Sequence, residues 1–244
     1  MDWDAAVLSD RGRWRHRNED AAVVRPEKRL YAVADGMGGH VAGDIASRTA
    51  VERLDTALDA GVAAAPAMDA ADRLRRAIAS ANAAVLERAE HEADKRGMGT
   101  TIAALLALHD DATCVIGHIG DSRVYRLRRG VLDLLTTDHT WVQERVAAGE
   151  LTAVEARAHP YSSVLTRVLG LPDVGAADIT VADVTAGDTF LLCTDGLTGM
   201  LEERDLVDIL ARAEPADALA AELVDAANAR GGLDNITVVV LKPT

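Results

Sequence analysis

Aromatic side chains are scarce: one Phe, three Tyr and three Trp make up 3% of the 244 residues. Cysteine is scarcer still. Cys114 and Cys193 each sit inside an apolar run, with no companion Cys or His at metal-ligand spacing, so a disulfide scaffold and a zinc ribbon are excluded and buried free thiols are expected. No long hydrophobic run occurs. The longest strictly apolar stretch, Ile102 to Leu108, is far below the roughly 18 residues a membrane span needs, and the start at Met1-Asp2-Trp3-Asp4 has no basic or apolar leader. A cytoplasmic protein without membrane contact is the expectation. Positive charge is in deficit, with 26 Lys and Arg against 39 Asp and Glu for a net −13, which disfavours a nucleic-acid partner.

What remains is an ordinary globular composition, 49% hydrophobic and 27% charged, which excludes disorder and collagen. Short apolar runs bounded by Gly and Asp predict buried strands at 30–34, 113–119, 189–193 and 236–241. Leu74, Ala77, Ile78, Ala81 and Val85 fall on one helical face. Val51, Leu54 and Leu58 predict another helix, and Leu206 to Leu210 and Leu219 to Leu223 two more. Arg-Arg-Gly between two alternating runs in 123–135 predicts a hairpin, hence antiparallel pairing. Strands at both ends with helices between favour a layered α+β architecture over a doubly wound one. With no repeat and no linker, 60–67 reads as a loop between helices and 1–244 as a single domain.

Four aspartates share a setting at strand edges: Asp35 after YAVA, Asp121 after VIGHIG, Asp195 after FLLCT, and Asp234 before NITVVV. Each alone fits a turn or a helix cap as well as a ligand. Together they would need a neutralising partner, because an apolar sheet end does not tolerate several unpaired carboxylates. An all-oxygen set without Cys or His suits Mg²⁺ or Mn²⁺, and a pair of such ions can activate water against phosphorus. Spacing by itself leaves both readings open.

The stretches RGRWRHRNED (11–20), ADGMGGH (34–40), GMGTT (97–101), GHIGDSRVYR (117–126), LTRVLG (165–170), LLCTDGLT (191–198) and LDNITVVV (233–240) resemble, in order and spacing, the metal-dependent protein serine/threonine phosphatases of the protein phosphatase 2C type. The resemblance spans nearly the whole chain and is nearest to bacterial stand-alone catalytic domains. It implies a four-layer α-β-β-α sandwich, two packed antiparallel sheets flanked by helices. It also implies two catalytic Mn²⁺ or Mg²⁺ ions with room for a third, and phosphoserine or phosphothreonine proteins as substrates. Attack by a metal-bridging water, opposing Ser/Thr kinases and a monomeric signalling enzyme follow from the same likeness. Residue by residue, Asp35 corresponds to the metal-bridging aspartate and the Gly36 carbonyl to a ligand of one ion. Asp195 and Asp234 correspond to ligands of the other, and Asp121 to a third-ion ligand shared with Asp195. Glu19 and Asp20 correspond to acids touching the metal waters. Arg15, four residues before Glu19, corresponds to the arginine gripping phosphate, where a planar guanidinium suits phosphate oxygens; Arg11, Arg13 and Arg17 are expected to be solvated.

Met37 departs from the eukaryotic pattern, in which a histidine at this place is proposed as general acid; methionine has no proton to give. His40 is a candidate by sequence proximity alone, and the start of a helix accounts for it as well. The segment 136–165, with Asp138, His139, Trp141, Gly149, His159 and Ser162, resembles the family's variable flap, although helical packing of Trp141, Val142 and Val146 accounts for those three. Arg123, Arg126, Arg128 and Arg129 could draw acidic phosphopeptides or simply form the wet face of the hairpin.

Two other functions fit parts of the sequence. A catalytically silent docking module on the same fold would be expected to have lost metal ligands, and here the four aspartates are present. A hydrolase of small phosphate esters shares every motif. A nucleotide enzyme is disfavoured because GMGGHVAG (36–43) lacks the Lys-Ser/Thr of a phosphate loop, and neither a G-x-S-x-G nor an H-E-x-x-H motif occurs.

Overall fold

The computed structural model describes residues 2–38, 42–91 and 95–244. In chain order its elements are β1 (Trp3–Asp10), β2 (Asp20–Arg25), β3 (Leu30–Met37), α1 (Ala42–Ala57), α2 (Ala67–His91), β4 (Gly99–Thr100), β5 (Ile102–Ala107), β6 (Thr113–Ile119), β7 (Arg123–Arg128) and β8 (Val131–Leu134). There follow α3 (Trp141–Ala147), α4 (Ala153–Arg157), β9 (Asp178–Asp183), β10 (Thr189–Cys193), α5 (Asp195–Thr198), α6 (Glu203–Leu210), α7 (Ala216–Ala229) and β11 (Ile236–Pro243). One sheet runs β1-β11-β10-β7-β8 and the other β2-β3-β5-β6-β9, with β4 beside β3. The strand pairs are antiparallel.

The apolar runs have no polar alternation because both faces of each central strand are buried. Leu30, Ala32 and Ala34 of β3 turn toward α1 and α2. Tyr31 and Val33, one residue out of phase, meet Val124, Phe190, Leu192 and Val239 between the sheets. On the far side Leu191, Cys193, Val238 and Val240 pack under α6 and α7. The layers are therefore helix, sheet, sheet, helix, as the α+β expectation had it. Burying one side chain such as Phe190, with no exposed surface left, contributes roughly 1.5–3 kcal/mol.

The hairpin turns at Arg129 and Gly130, both at positive φ (52° and 81°), the geometry that matches strand twist. Arg126 and Arg128 are not a wet basic face, although Arg129 at the turn is exposed. Arg126 pairs with Asp133 and Asp183, and Arg128 with Asp183 and Asp188, so the charge offered to acidic peptides is already neutralised. Both cysteines are buried and free, and burial pushes each thiol up to about 12. The stretch 60–67 holds a 3-10 turn at Val62–Ala64 before α2 begins.

Candidate active site

The carboxylates converge at one end of the sandwich because antiparallel pairing brings the ends of strands from both sheets together. Asp35 lies within β3, which runs three residues further than its apolar run, and pairs in register with Asp20 of β2. Asp121 sits in the turn that crosses from β6 of one sheet to β7 of the other. Asp195 opens α5 directly after β10, and Asp234 stands just before β11. Arg15, Glu19, Asp35, Gly36, Asp121, Asp195 and Asp234 all line one cleft of about 700 Å³. Asp20 lies beneath it, 8% exposed.

Close backbone approach explains two glycines. A Cβ on Gly36 would stand 2.0 Å from the Gly43 carbonyl oxygen and 2.5 Å from that of Glu19. A Cβ on Gly196 would stand 1.9 Å from the Asn235 carbonyl, so α5, carrying Asp195, rests directly on the segment carrying Asp234. Gly196→Ala is expected to cost about 1–3 kcal/mol by overpacking and to lower turnover with it. An unchanged Tm by calorimetry would show that α5 does not need this contact.

Asn235 is a residue the sequence reading missed. Buried to 4% exposure, it donates from Nδ2 to the carbonyls of Arg11 and Arg17 (2.9 and 2.8 Å) and accepts from the Glu19 amide at 2.8 Å. It thereby threads the 11–19 loop onto β11. Thr194 is a second: its hydroxyl donates to Asp20 Oδ2 at 2.9 Å. Thr101 is a third, accepting the Asp35 amide at 2.9 Å and meeting the Ser122 hydroxyl at 2.6 Å. Asn235 and Thr194 each adjoin a motif aspartate and Thr101 closes the GMGTT stretch, but residue type alone does not tell what each one holds.

Crowding of like charge in a dry place governs the electrostatics. Burial first, and then the neighbouring carboxylates Asp20, Asp195 and Asp121, hold the Asp35 carboxyl well above its ordinary range. Burial pushes Asp20 and Asp121 each up to about 7, and raises Asp195 and Glu19. Oδ1 of Asp20 and Oδ1 of Asp195 are buried without a hydrogen-bond partner. Such a set fits a hard divalent cation, which takes carboxylate and carbonyl oxygens and relieves the repulsion. Among the described residues no three His, Cys, Asp or Glu side chains are gathered closely enough to hold a metal ion by themselves; an ion here would also draw on the Gly36 carbonyl and on waters.

Arg15 reaches into the same cleft, with its Nη2 2.6 Å from Asp234 Oδ2 and about half its side chain exposed. Arg11 and Arg13 are exposed and lie outside the cleft lining, whereas Arg17, also exposed, lines the cleft beside Arg15. Met37, 40% exposed, lines the cleft where a proton donor would be useful. His40 lies outside the described residues. In the 136–165 segment α3 buries Val142, and Trp141, His159 and Tyr161 form an aromatic cluster with centroids 5.1–5.6 Å apart. Trp14, 71% exposed in an aromatic-poor chain, also lines the cleft.

The family model for protein phosphatase 2C matches residues 14–231. The chain belongs to the protein phosphatase 2C family. The serine/threonine phosphatase stp of Listeria monocytogenes is 40% identical over 241 residues, covering 98% of this chain and 95% of that one. The crystal structure of the Mycobacterium tuberculosis serine/threonine phosphatase PstP/Ppp superposes with a TM-score of 0.90 at 37% identity, covering 99% of both chains. The catalytic domain of PstP in complex with two manganese ions superposes at 0.87 with 36% identity, covering 98% of this chain and 97% of that one. The four-layer sandwich is thus the fold of phosphatase 2C relatives, and the cleft lies inside the matched region except for Asp234 and Asn235.

Proposed function

We propose that this chain is a metal-dependent protein serine/threonine phosphatase, one catalytic domain over residues 1–244, hydrolysing phosphoserine and phosphothreonine. One observation carries the reading: Asp20, Asp35, Asp121 and Asp195 meet from both sheets, with one buried oxygen of Asp20 and one of Asp195 lacking a protein partner, in a chain about 40% identical to serine/threonine phosphatases over nearly its whole length. Asp35, Asp195, Asp234 and the Gly36 carbonyl would hold two ions, and Asp121 with Asp195 a third. When bound, the two ions supply Lewis-acid stabilisation of the phosphoryl oxygens and an acidified water. Glu19 and Asp20 accept hydrogen bonds from the water around the centre. That a relative's catalytic domain holds two manganese ions supports Mn²⁺ or Mg²⁺ as the cofactor.

Arg15 binds the phosphate, exchanging its Asp234 partner for the substrate dianion. Met37 moves no proton, so the leaving alkoxide takes its proton from water or from another side chain of the cleft. Opposing Ser/Thr kinases, a monomeric state and a cytoplasmic setting complete the proposal. Among the described residues no helix is long and apolar enough to cross a membrane.

Hydrolysis of a phosphothreonine peptide and of p-nitrophenyl phosphate, each with Mn²⁺, Mg²⁺ or EDTA, tests the reading. Metal-dependent turnover with a preference for the peptide supports it. A folded protein inactive under every metal would make it a docking module, and a preference for the small ester would move the substrate class. Arg15→Ala is expected to raise KM for the peptide about tenfold, the loss of one charge-assisted contact of about 1.5 kcal/mol, without weakening Mn²⁺ binding by calorimetry. An unchanged KM would remove Arg15 from the phosphate site.

A further inference from the structure

The turn that carries Asp121 is gripped on both sides by two consecutive residues of the flap's first segment. On one side the Gly120 amide donates to His139 Nδ1 at 3.0 Å, and the His139 amide donates back to the Gly120 carbonyl at 2.8 Å. On the other side the Arg123 guanidinium lies across Asp138, with Nε to Oδ1 at 2.9 Å and Nη2 to Oδ2 at 2.7 Å. Only Asp121 and Ser122 stand between the two grips. Gly120 has φ +109°, and a Cβ there would lie 2.5 Å from the Thr101 side chain, so the turn has one compact path. The other ring nitrogen, Nε2, stands 2.7 Å from Arg167 Nη1 and 3.1 Å from Asp178 Oδ2. Asp178 is held in turn by Arg167 at 2.8 Å.

The same short segment forms the base of the flap. The His139 carbonyl accepts the Thr166 amide and the Val164 carbonyl accepts the Trp141 amide, both at 2.8 Å, and Thr140 bridges Leu165. His118 lies behind the His139 ring, stacked at 4.8 Å with both ring nitrogens unpartnered. Burial pushes it down to about 4, so it stays neutral.

We infer that Asp138 and His139 are positioning residues: they fix the Gly120–Arg123 turn, aim Asp121 toward Asp195, and tie that aim to the base of the flap. The inference rests on the reading of Asp121 as part of the metal centre. Each acts through backbone or guanidinium groups flanking Asp121, as outer partners of metal ligands do.

The test separates this role from packing by placing an acceptor at one ring position at a time. Asn at 139 sets its Oδ1 where Nδ1 stood, whereas Gln sets its Oε1 near the former Nε2. His139→Asn is expected to keep the Gly120 amide protected from hydrogen exchange by NMR, and His139→Gln to speed that exchange. His139→Gln is expected to lower kcat and Mn²⁺ affinity by calorimetry about tenfold to a hundredfold, with KM for p-nitrophenyl phosphate little changed. Asp138→Asn, which weakens the Arg123 grip, shifts the same quantities in the same direction. The double variant His139→Gln/Asp121→Asn is expected to be no worse than Asp121→Asn alone, because contacts acting through one group are not additive.

Multiplying effects in the double variant would overturn the inference. So would native Gly120 exchange in His139→Gln, or equal damage from Asn and Gln. Wild-type turnover in Asp121→Asn would instead overturn the placing of Asp121 in the centre, an outcome told apart by Gly120 exchange, which reports the grip directly.

Discussion

Asp195→Ala is expected to abolish metal-dependent turnover while leaving the metal-free protein at least as stable as the wild type. Both halves follow from the same geometry. Asp195 stands at the head of α5, within hydrogen-bonding reach of Asp35, with one buried oxygen unpartnered. Loss of an outer partner of a metal ligand already costs about tenfold to a hundredfold, so losing a ligand itself is expected to exceed about a hundredfold. In the absence of metal the carboxylate is instead a liability, since a buried charge with no partner costs the fold on the order of 1–3 kcal/mol. Activity with Mn²⁺ beside Tm in EDTA checks both. Full turnover would remove Asp195 from the centre, and a large drop in metal-free Tm would show that it is structural.

Stability against pH is the second large effect, and its sign is opposite with and without metal. In the unfolded chain Asp20 and Asp121 ionise near 3.8; in the fold they ionise near 7. Between those values the native state binds more protons, so this stability is present below about pH 4 and is lost as pH rises through about 7. The loss is on the order of 1–4 kcal/mol for each group. His118, pushed down to about 4, and His139, also lowered, work the other way, but only below the unfolded histidine value of about 6.5. The clean window is therefore roughly pH 6.5 to 8, where Tm in EDTA is expected to fall. With Mn²⁺ it is expected to rise over the same range, because the ion binds deprotonated ligands. A flat or rising metal-free curve would mean that the carboxylates are not crowded as described.

The sequence was most legible where physics is local. Runs such as 113–119 and 189–193 are strands at the predicted residues because a strand buried on both faces shows as an unbroken apolar run. The predicted strands do not include β1, β2, β4, β5 or β9. The side chains of β1, β2 and β9 are small or mixed, and much of β1 and β9 faces solvent, so no periodicity marks them; β4 is two residues long, and β5 is an unbroken apolar run that a buried helix would match as well. The hairpin arginines illustrate the same limit: Asp183 and Asp188, which neutralise Arg128, lie 55 and 60 residues away.

The candidate site divides the same way. Asp35, Gly36, Asp121, Asp195 and Asp234 could be singled out because residue type, flanking glycine and motif order are properties of the chain itself. Asn235, Thr101 and Thr194 could not, because their roles are hydrogen bonds to loops and strands distant in sequence. By itself the sequence determined the family, the oxygen-rich character of the centre and the strands that carry it. Only the tertiary structure decided which carboxylates share a dry space, that Arg15 leans on Asp234, and that the flap's first residues hold the turn of Asp121. Those facts depend on two sheets stacked face to face, which bring strand ends from both halves of the chain to within a few ångströms.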